Sequence, residues 1–360
     1  MKVRTRYAPS PTGFMHIGNL RTAIFEYLLA KKYNGDFILR IEDTDQEREV
    51  EGAIDFIYNT LDLCGFKIDE GPNNEGNFGP YIQSKRKDIY KEYALKLVEM
   101  GKAYYCFCSE EELTKMREKA DARKKPFLYD GRCSRLSKEK IEENLKNNVP
   151  YVIRQKMPKE GVTIVEDLIY GKVKIDNSIL DDQILLKSDG FPTYNFANVI
   201  DDHLMEITHV IRGKEYLDQT AKYNLLYEAF GWEKPTYIHV AMVLGEDGNK
   251  LSKRNGDASF MDLYNEGYLP EAIVNYLSLL GWSPETNQEV FSMEELISNF
   301  NEERISKSSS QYDVKKLKWF NHQYINKMDD EKYEEAEVIG LKNILVMNVI
   351  KVRNGLIIYY

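Results

Sequence analysis

Two different periods of apolar residues run through the first forty positions. Val3 to Ala8 has the character of a short buried strand, a Pro/Ser/Gly turn continues through Gly13, and from about Gly18 to Tyr33 the residues Leu20, Ala23, Ile24, Tyr27 and Leu28 fall at helical spacing. Asn34-Gly35 stops the helix, and a second strand, Asp36 to Ile41, leads into the acidic run Glu42-Asp43-Thr44-Asp45. A strand–helix–strand unit of this length predicts a right-handed crossover with parallel pairing, the building block of a doubly wound nucleotide-type sheet. Residues 84 to 120 read as mainly helical, with Tyr90, Tyr93, Leu95 and Leu97 set among charges. Between Pro150 and Leu186 the pattern breaks into β-rich pieces (Tyr151 to Arg154, Val162 to Val165, Gln183 to Leu186), as in an inserted α/β domain. The nucleotide-type pattern resumes at Phe191 and holds to about Gly256. From Asp262 helices return, with a stop at Leu279-Leu280-Gly281-Trp282-Ser283-Pro284. No internal repeat is evident.

Length and composition narrow the class. A chain of 360 residues exceeds one ordinary core and predicts two or three domains. With 42% hydrophobic and 30% charged residues it has a globular composition. No apolar run reaches the roughly 20 residues that cross a bilayer, and Met1 to Arg6 is followed by Tyr7-Ala8-Pro9-Ser10 where a signal segment would be apolar. A cytoplasmic location is expected. The cysteines, Cys64, Cys106, Cys108 and Cys133, are too few for a disulfide scaffold. A net charge of -9 argues against wholesale coating of nucleic acid but leaves room for a local basic surface.

Two stretches carry chemistry. Pro9-Ser10-Pro11-Thr12-Gly13-Phe14-Met15-His16-Ile17-Gly18-Asn19 sits between strand and helix, where a helix N-terminus offers backbone donors to phosphate. Gly18 lets a nucleotide approach the backbone, and His16 can donate to an oxygen gaining charge at the α-phosphate. The competing reading is a rigid turn with a surface histidine. Far along the chain, Gly245 to Gly256 is a glycine-flanked loop with Lys250, Lys253 and Arg254 within five positions, suited to closing over a triphosphate. In isolation it would read equally as a solvated basic turn; the two stretches together favour the nucleotide reading.

His16-Ile17-Gly18-Asn19 is similar to the HIGH signature of class I aminoacyl-tRNA synthetases, and Lys250-Leu251-Ser252-Lys253-Arg254 to their KMSKS loop. Arg6 to Gly13, Arg40 to Asp45, Pro192 to Ala197 and Asp201 to Met205 resemble the bacterial-type glutamyl-tRNA synthetases in particular, over residues 1 to about 325. The resemblance implies an α/β fold: a class I Rossmann-type parallel sheet (1–84 and 190–256) split by an acceptor-binding α/β insertion (85–189), followed by a helical stem-contact region (257–325) and an atypical tail (326–360). It implies an enzyme that activates glutamate with ATP and Mg²⁺ and transfers it to tRNA, acting as a monomer. Arg6, Ala8, Ser10, Glu42, Tyr194, Asn198 and Arg212 then occupy glutamate-pocket positions, where two arginine forks suit two carboxylates and Glu42 an ammonium. A buried structural ion-pair set is the other reading of Arg6 and Glu42. Pro9, Ser10, His16, Gly18, Asn19, Glu215, Lys250, Lys253 and Arg254 fall to ATP, with His16, Gly18, Lys250 and Lys253 at the chemistry. Lys214 stands where the family carries an acid.

Cys106-Phe107-Cys108 and Cys133 resemble the zinc site of some members, whose usual histidine is here Arg135, a residue that cannot ligate a metal. Tyr129 or a distant group would have to complete the set; three reduced structural thiols are the alternative. Two rivals are a queuosine-glutamylating relative, which lacks the helices present here from Asp262 to Gln323, and a non-catalytic paralogue, which would have lost loop cations or the histidine. Full-length relatives continue into an anticodon-binding portion, whereas Leu341 to Tyr360 is β-prone and apolar. A truncated or frame-shifted product is expected, its last 20 residues poorly ordered or aggregation-prone.

Overall fold

The computed structural model describes residues 2–11, 15–48, 50–124, 126–245, 247–249, 251 and 259–328. The expectations for Lys250, Lys253 and Arg254 and for the tail beyond 328 lie outside the described residues.

The first unit forms as its periodicity dictates. β1 (Arg4–Tyr7) and β2 (Asp36–Leu39) pair in parallel, Arg4 opposite Asp36, with α1 (Ile17–Lys32) between them in sequence. Beyond Leu39 the chain keeps extended partners, Arg40 N donating to Tyr7 O at 3.0 Å and Ile41 N to Tyr81 O at 2.9 Å. At the helix stop Asn34 adopts φ 49°. Gly35 passes so near β1 that a Cβ would lie 2.1 Å from the Val3 carbonyl oxygen, so no other residue fits.

After α2 (Ala53–Leu63) and α3 (Lys87–Glu99), the stretch expected to be helical to 120 is interrupted by β3 (Ala103–Cys106). The break has a local cause: Gly101 turns the chain at φ 70°, and Tyr104-Tyr105 prefers the pleated surface. α4 (Glu110–Ala122) and α5 (Lys138–Lys146) follow, then β4 (Val152–Gln155), β5 (Val162–Asp167), β6 (Gly171–Asp176) and β7 (Ile184–Leu186). β3, β4 and β7 make an antiparallel sheet. β5 and β6 form a hairpin that does not join that sheet. After α6 (Tyr194–Leu204), β8 (His209–Gly213), α7 (Thr220–Phe230) and β9 (Thr236–Val240), β8 and β9 pair in parallel, and β5 extends them in the order β6-β5-β9-β8, Asp167 opposite Tyr237. β1 lies beside β8, joined by Thr208 N to Arg4 O at 3.0 Å.

Past β10 (Val243–Leu244), α8 (Phe260–Asn265), α9 (Pro270–Ser278) and α10 (Met293–Asn299) lead to β11 (Ser310–Gln311) and α11 (Val314–Lys327). Ser259 and Ser292 begin α8 and α10 with capping boxes, satisfying N-terminal N–H groups. β11 pairs with β10 and ties the helices back to the sheet side. α1 is buried nearly all round: Leu20, Ile24, Phe25 and Leu28 are fully enclosed in one core with Ile273, Leu277, Phe300 and Leu317. Each such side chain contributes roughly 1.5–3 kcal/mol of burial, so this helix is fixed from both sides. Among the described residues no helix is long and apolar enough to cross a membrane.

Candidate active site

A cavity of about 700 Å³ opens where β1, the turn after it, the N-terminus of α1 and β8 converge. The C-terminal ends of parallel strands are where α/β sheets open such crevices. Of the described candidates it is lined by Arg6, Ala8, Pro9, Ser10, His16, Gly18, Asn19, Glu42, Tyr194, Arg212 and Glu215. Asn198 is not among the lining residues; it sits one helical turn behind, donating through Nδ2 to Tyr194 O at 2.7 Å.

One end of the cavity rests on a buried ion cluster. Arg6 donates through Nε to Asp202 at 3.0 Å and through Nη1 to Glu26 at 3.2 Å. Arg40 donates to Asp202 at 2.8 Å and to Glu42 Oε1 at 2.9 Å. Arg86 donates to Asp201 at 2.7 Å, and Gln83 to the same residue at 2.8 Å. Burial opposes charge here, but Asp202 and Glu26 outweigh it and hold Arg6 above the ordinary arginine range. Likewise Arg6 and Arg40 overcome burial to keep Asp202 below the ordinary carboxylate range.

The two carboxylates that line the cavity at this end, Glu42 and Glu26, behave differently. Burial pushes Glu42 up to about 7 despite Arg40 and Arg6, and raises Glu26 well above its ordinary value. Each keeps one oxygen, Glu42 Oε2 and Glu26 Oε2, with no hydrogen-bond partner among the described residues. A buried acceptor left open is costly unless something else fills it. Burial, with Glu42 nearby, also holds the Tyr194 hydroxyl well above its ordinary range, so it stays a donor.

The other end is built from backbone and space. His16 is the N-cap residue of α1, its backbone extended and its side chain not used as a cap. A Cβ on Gly18 would meet no atom within 4 Å, so glycine here leaves room at the helix N-terminus. Arg21, one turn on, is also a lining residue: Nη1 donates to Leu280 O at 3.0 Å, Nη2 to Ala241 O at 2.5 Å, and Nε has no partner among the described residues. Burial, countered by Glu215, brings it down to about 10.

Sequence reasoning missed Glu26, Arg21 and Tyr216 as lining residues. A signal existed for Glu26, the sole acid in the sixteen residues of α1.

Elsewhere, the sulfurs of Cys106, Cys108 and Cys133 lie within 4.8 Å of one another. The Tyr129 hydroxyl lies 3.4 Å from Cys106 Sγ and 3.3 Å from Cys108 Sγ. Arg135 points elsewhere, its Nη1 donating to Asp130 O at 3.4 Å.

The family described as tRNA synthetases class I (E and Q), catalytic domain, matches residues 2–319. A glutamate–tRNA ligase of Clostridium novyi is 61% identical over 334 residues, 93% of this chain and 68% of that protein. One from Clostridium tetani is 58% identical over 344 residues, 96% of this chain and 70% of that protein. The crystal structure of a glutamate tRNA ligase from Elizabethkingia meningosepticum in complex with its amino acid superposes with a TM-score of 0.89 at 41% identity, covering 98% of this chain and 75% of that one. With an α/β scaffold, a nucleotide-type cavity and this extent of identity, the chain belongs to the glutamate–tRNA ligases of the class I tRNA synthetases.

Proposed function

We propose that glutamate binds at the ion-cluster end of the cavity and ATP at the helix N-terminal end. The observation that carries this reading is that Arg6, on β1, and Arg212, on the neighbouring β8, line one cavity together with Glu42, whose Oε2 is open among the described residues. Two guanidinium groups meet two carboxylates, and Glu42 meets the ammonium. Ala8, Ser10 and Tyr194 complete the amino-acid end, with Asn198 acting through Tyr194. Glutamine would leave one arginine short of its anion, a cost of about 2–5 kcal/mol if that charge is fully buried.

At the other end Pro9, Ser10, His16, Gly18, Asn19 and Glu215 hold ATP, and the loop motif assigns Lys250, Lys253 and Arg254 to its phosphates. The α-carboxylate oxygen of glutamate forms the bond to the α-phosphorus, the bond from that phosphorus to the bridging oxygen breaks, and pyrophosphate leaves. A tRNA ribose hydroxyl then attacks the carbonyl carbon and AMP departs. His16 donates to oxygen as charge grows there, and the chain's role is orientation and charge stabilisation. Mg²⁺, when bound, would neutralise charge on the triphosphate, and Glu215, the one carboxylate at this end among the described lining residues, could help to hold it.

The thiol cluster fits zinc. Tetrahedral bonds of about 2.3 Å place sulfurs roughly 3.8 Å apart, within the spread observed, and Tyr129 stands where a fourth ligand is needed. Cys106, Cys108, Cys133 and Tyr129 would hold the ion in a structural role.

The deciding experiment is glutamate-dependent ATP–pyrophosphate exchange with tRNA present. Arg6→Gln and Arg212→Gln raise KM for glutamate about ten- to a hundredfold and leave KM for ATP nearly unchanged. Lys253→Ala lowers kcat by about a hundredfold or more. Unchanged glutamate KM in both arginine variants overturns the pocket.

A further inference from the structure

Arg212 is anchored at two corners. Its Nε donates to His239 Nε2 at 3.1 Å and its Nη2 to Thr220 Oγ1 at 2.7 Å, while Nη1 has no protein partner among the described residues. Arginine has no acceptor atom, so His239 Nε2 must present a lone pair. The proton of the neutral ring therefore sits on Nδ1, where Asp167 Oδ2 accepts it at 2.7 Å. Asp167 is itself fixed: Oδ2 also accepts the backbone N–H of His239 at 3.0 Å, and Oδ1 accepts those of Ile169 and Tyr170 at 2.9 and 2.8 Å. Both side chains are fully enclosed. Burial and the nearby Arg212 outweigh Asp167 and Glu215 and keep His239 below the ordinary histidine range, in the neutral form this chain of bonds requires. The rings of Tyr216, Tyr223 and Tyr237 lie 5.6, 4.7 and 5.4 Å from the guanidinium carbon and close off other orientations.

We propose that His239 and Asp167 are positioning residues for amino-acid recognition: Asp167 sets the tautomer of His239, His239 sets the plane of Arg212, and the free edge of Arg212 is thereby presented to a substrate carboxylate. The inference rests on the reading that Arg212 meets that carboxylate. An aspartate fixing an imidazole so that the far nitrogen can act is a known physical arrangement, turned here to holding a cation in place of moving a proton. Asp167 ends the β5–β6 hairpin, so the hairpin reaches the amino-acid end of the cavity through one carboxylate.

Two near-isosteric variants separate positioning from packing. His239→Asn keeps an amide near Nδ1 for Asp167 but does not reach Arg212; His239→Gln brings an amide oxygen to the place of Nε2. In exchange assays with tRNA present, His239→Asn raises KM for glutamate about ten- to a hundredfold with KM for ATP unchanged, and His239→Gln recovers most of that loss. Equal glutamate KM in the two variants, whatever their melting temperatures, overturns the inference. Should His239→Asn not fold, Asp167→Asn gives the same readout, and an unchanged glutamate KM there also overturns it. Arg212→Gln run alongside distinguishes the two failures. If it raises glutamate KM and the His239 variants do not, the positioning role falls alone; if it has no effect, the pocket assignment falls with it.

Discussion

The chain contains two buried polar clusters with opposite bookkeeping of bonds. Around Arg6, Arg40 and Arg86 the charges are opposed by Glu26, Glu42, Asp201 and Asp202, and open acceptors are left at Glu26 and Glu42, both in the cavity lining. Around Cys106, Cys108, Cys133 and Tyr129 the three sulfurs and one hydroxyl share hydrogen bonds, with the Arg154 guanidinium 4.2 Å over the Tyr129 ring. The first cluster balances its guanidinium groups and leaves two carboxylate oxygens open at the cavity, among the described residues. The second gathers three thiols and a hydroxyl within contact of one another. Open acceptors facing a cavity thus distinguish the first cluster from one whose polar atoms bond one another.

The largest expected effect tests completeness. Arg40→Met leaves Asp202 and Glu42 without a shared cation, and stability should fall by about 3–5 kcal/mol, read as a lower urea midpoint. A shift below about 1 kcal/mol would show that the cluster reorganises freely and is not a fixed scaffold.

A somewhat smaller effect concerns the opening at Glu42. Because burial raises it from the ordinary 4.5 to about 7, the folded state holds a proton that the unfolded chain has released. Its contribution is present at low pH and is lost as pH rises from about 4.5 to about 7; by pH 8 the parent should have lost on the order of 3 kcal/mol relative to Glu42→Gln. A bound ammonium favours the carboxylate, so glutamate affinity in the parent rises with pH through about 7 and stays flat in the variant. Superimposable profiles in titration calorimetry and in chemical denaturation would place Glu42 outside the pocket.

How much of this was readable in advance follows from the range of the interactions. The β1–α1–β2 unit was legible because its periodicity and its Asn34-Gly35 stop are local. The cavity residues were found through motifs, and eleven of them line one space. Glu26 was passed over because its neighbours Phe25 and Tyr27 are core residues and its partner Arg6 comes from another element. The placement of the Val162–Asp176 hairpin beside β9 was invisible for the same reason, since one register contact at Tyr237 decides it. The pairing of Asp167 with His239 spans 72 positions, beyond any local pattern.

The smallest effect probes the second cluster. Tyr129→Phe removes one oxygen from a four-donor set and should weaken zinc binding about ten- to a hundredfold, with little change in glutamate KM. Competition against a chromophoric chelator measures it; equal affinity in parent and variant would show that the hydroxyl is not a ligand.

The bond from Thr208 to Arg4 joins residues 204 positions apart. During synthesis at about 5–20 residues per second, the β1–α1–β2 unit is finished roughly 8 to 34 seconds before β8 begins. Through that interval Arg6 and Arg40 have Glu26 and Glu42 within reach but neither Asp201 nor Asp202, which are not yet made. The N-terminal unit can therefore collapse early, but its charges are compensated only when the second half of the sheet arrives, and the cavity comes into being last. Expression slowed or stalled between these halves should thus yield chains that carry most of the helical content and bind no amino acid.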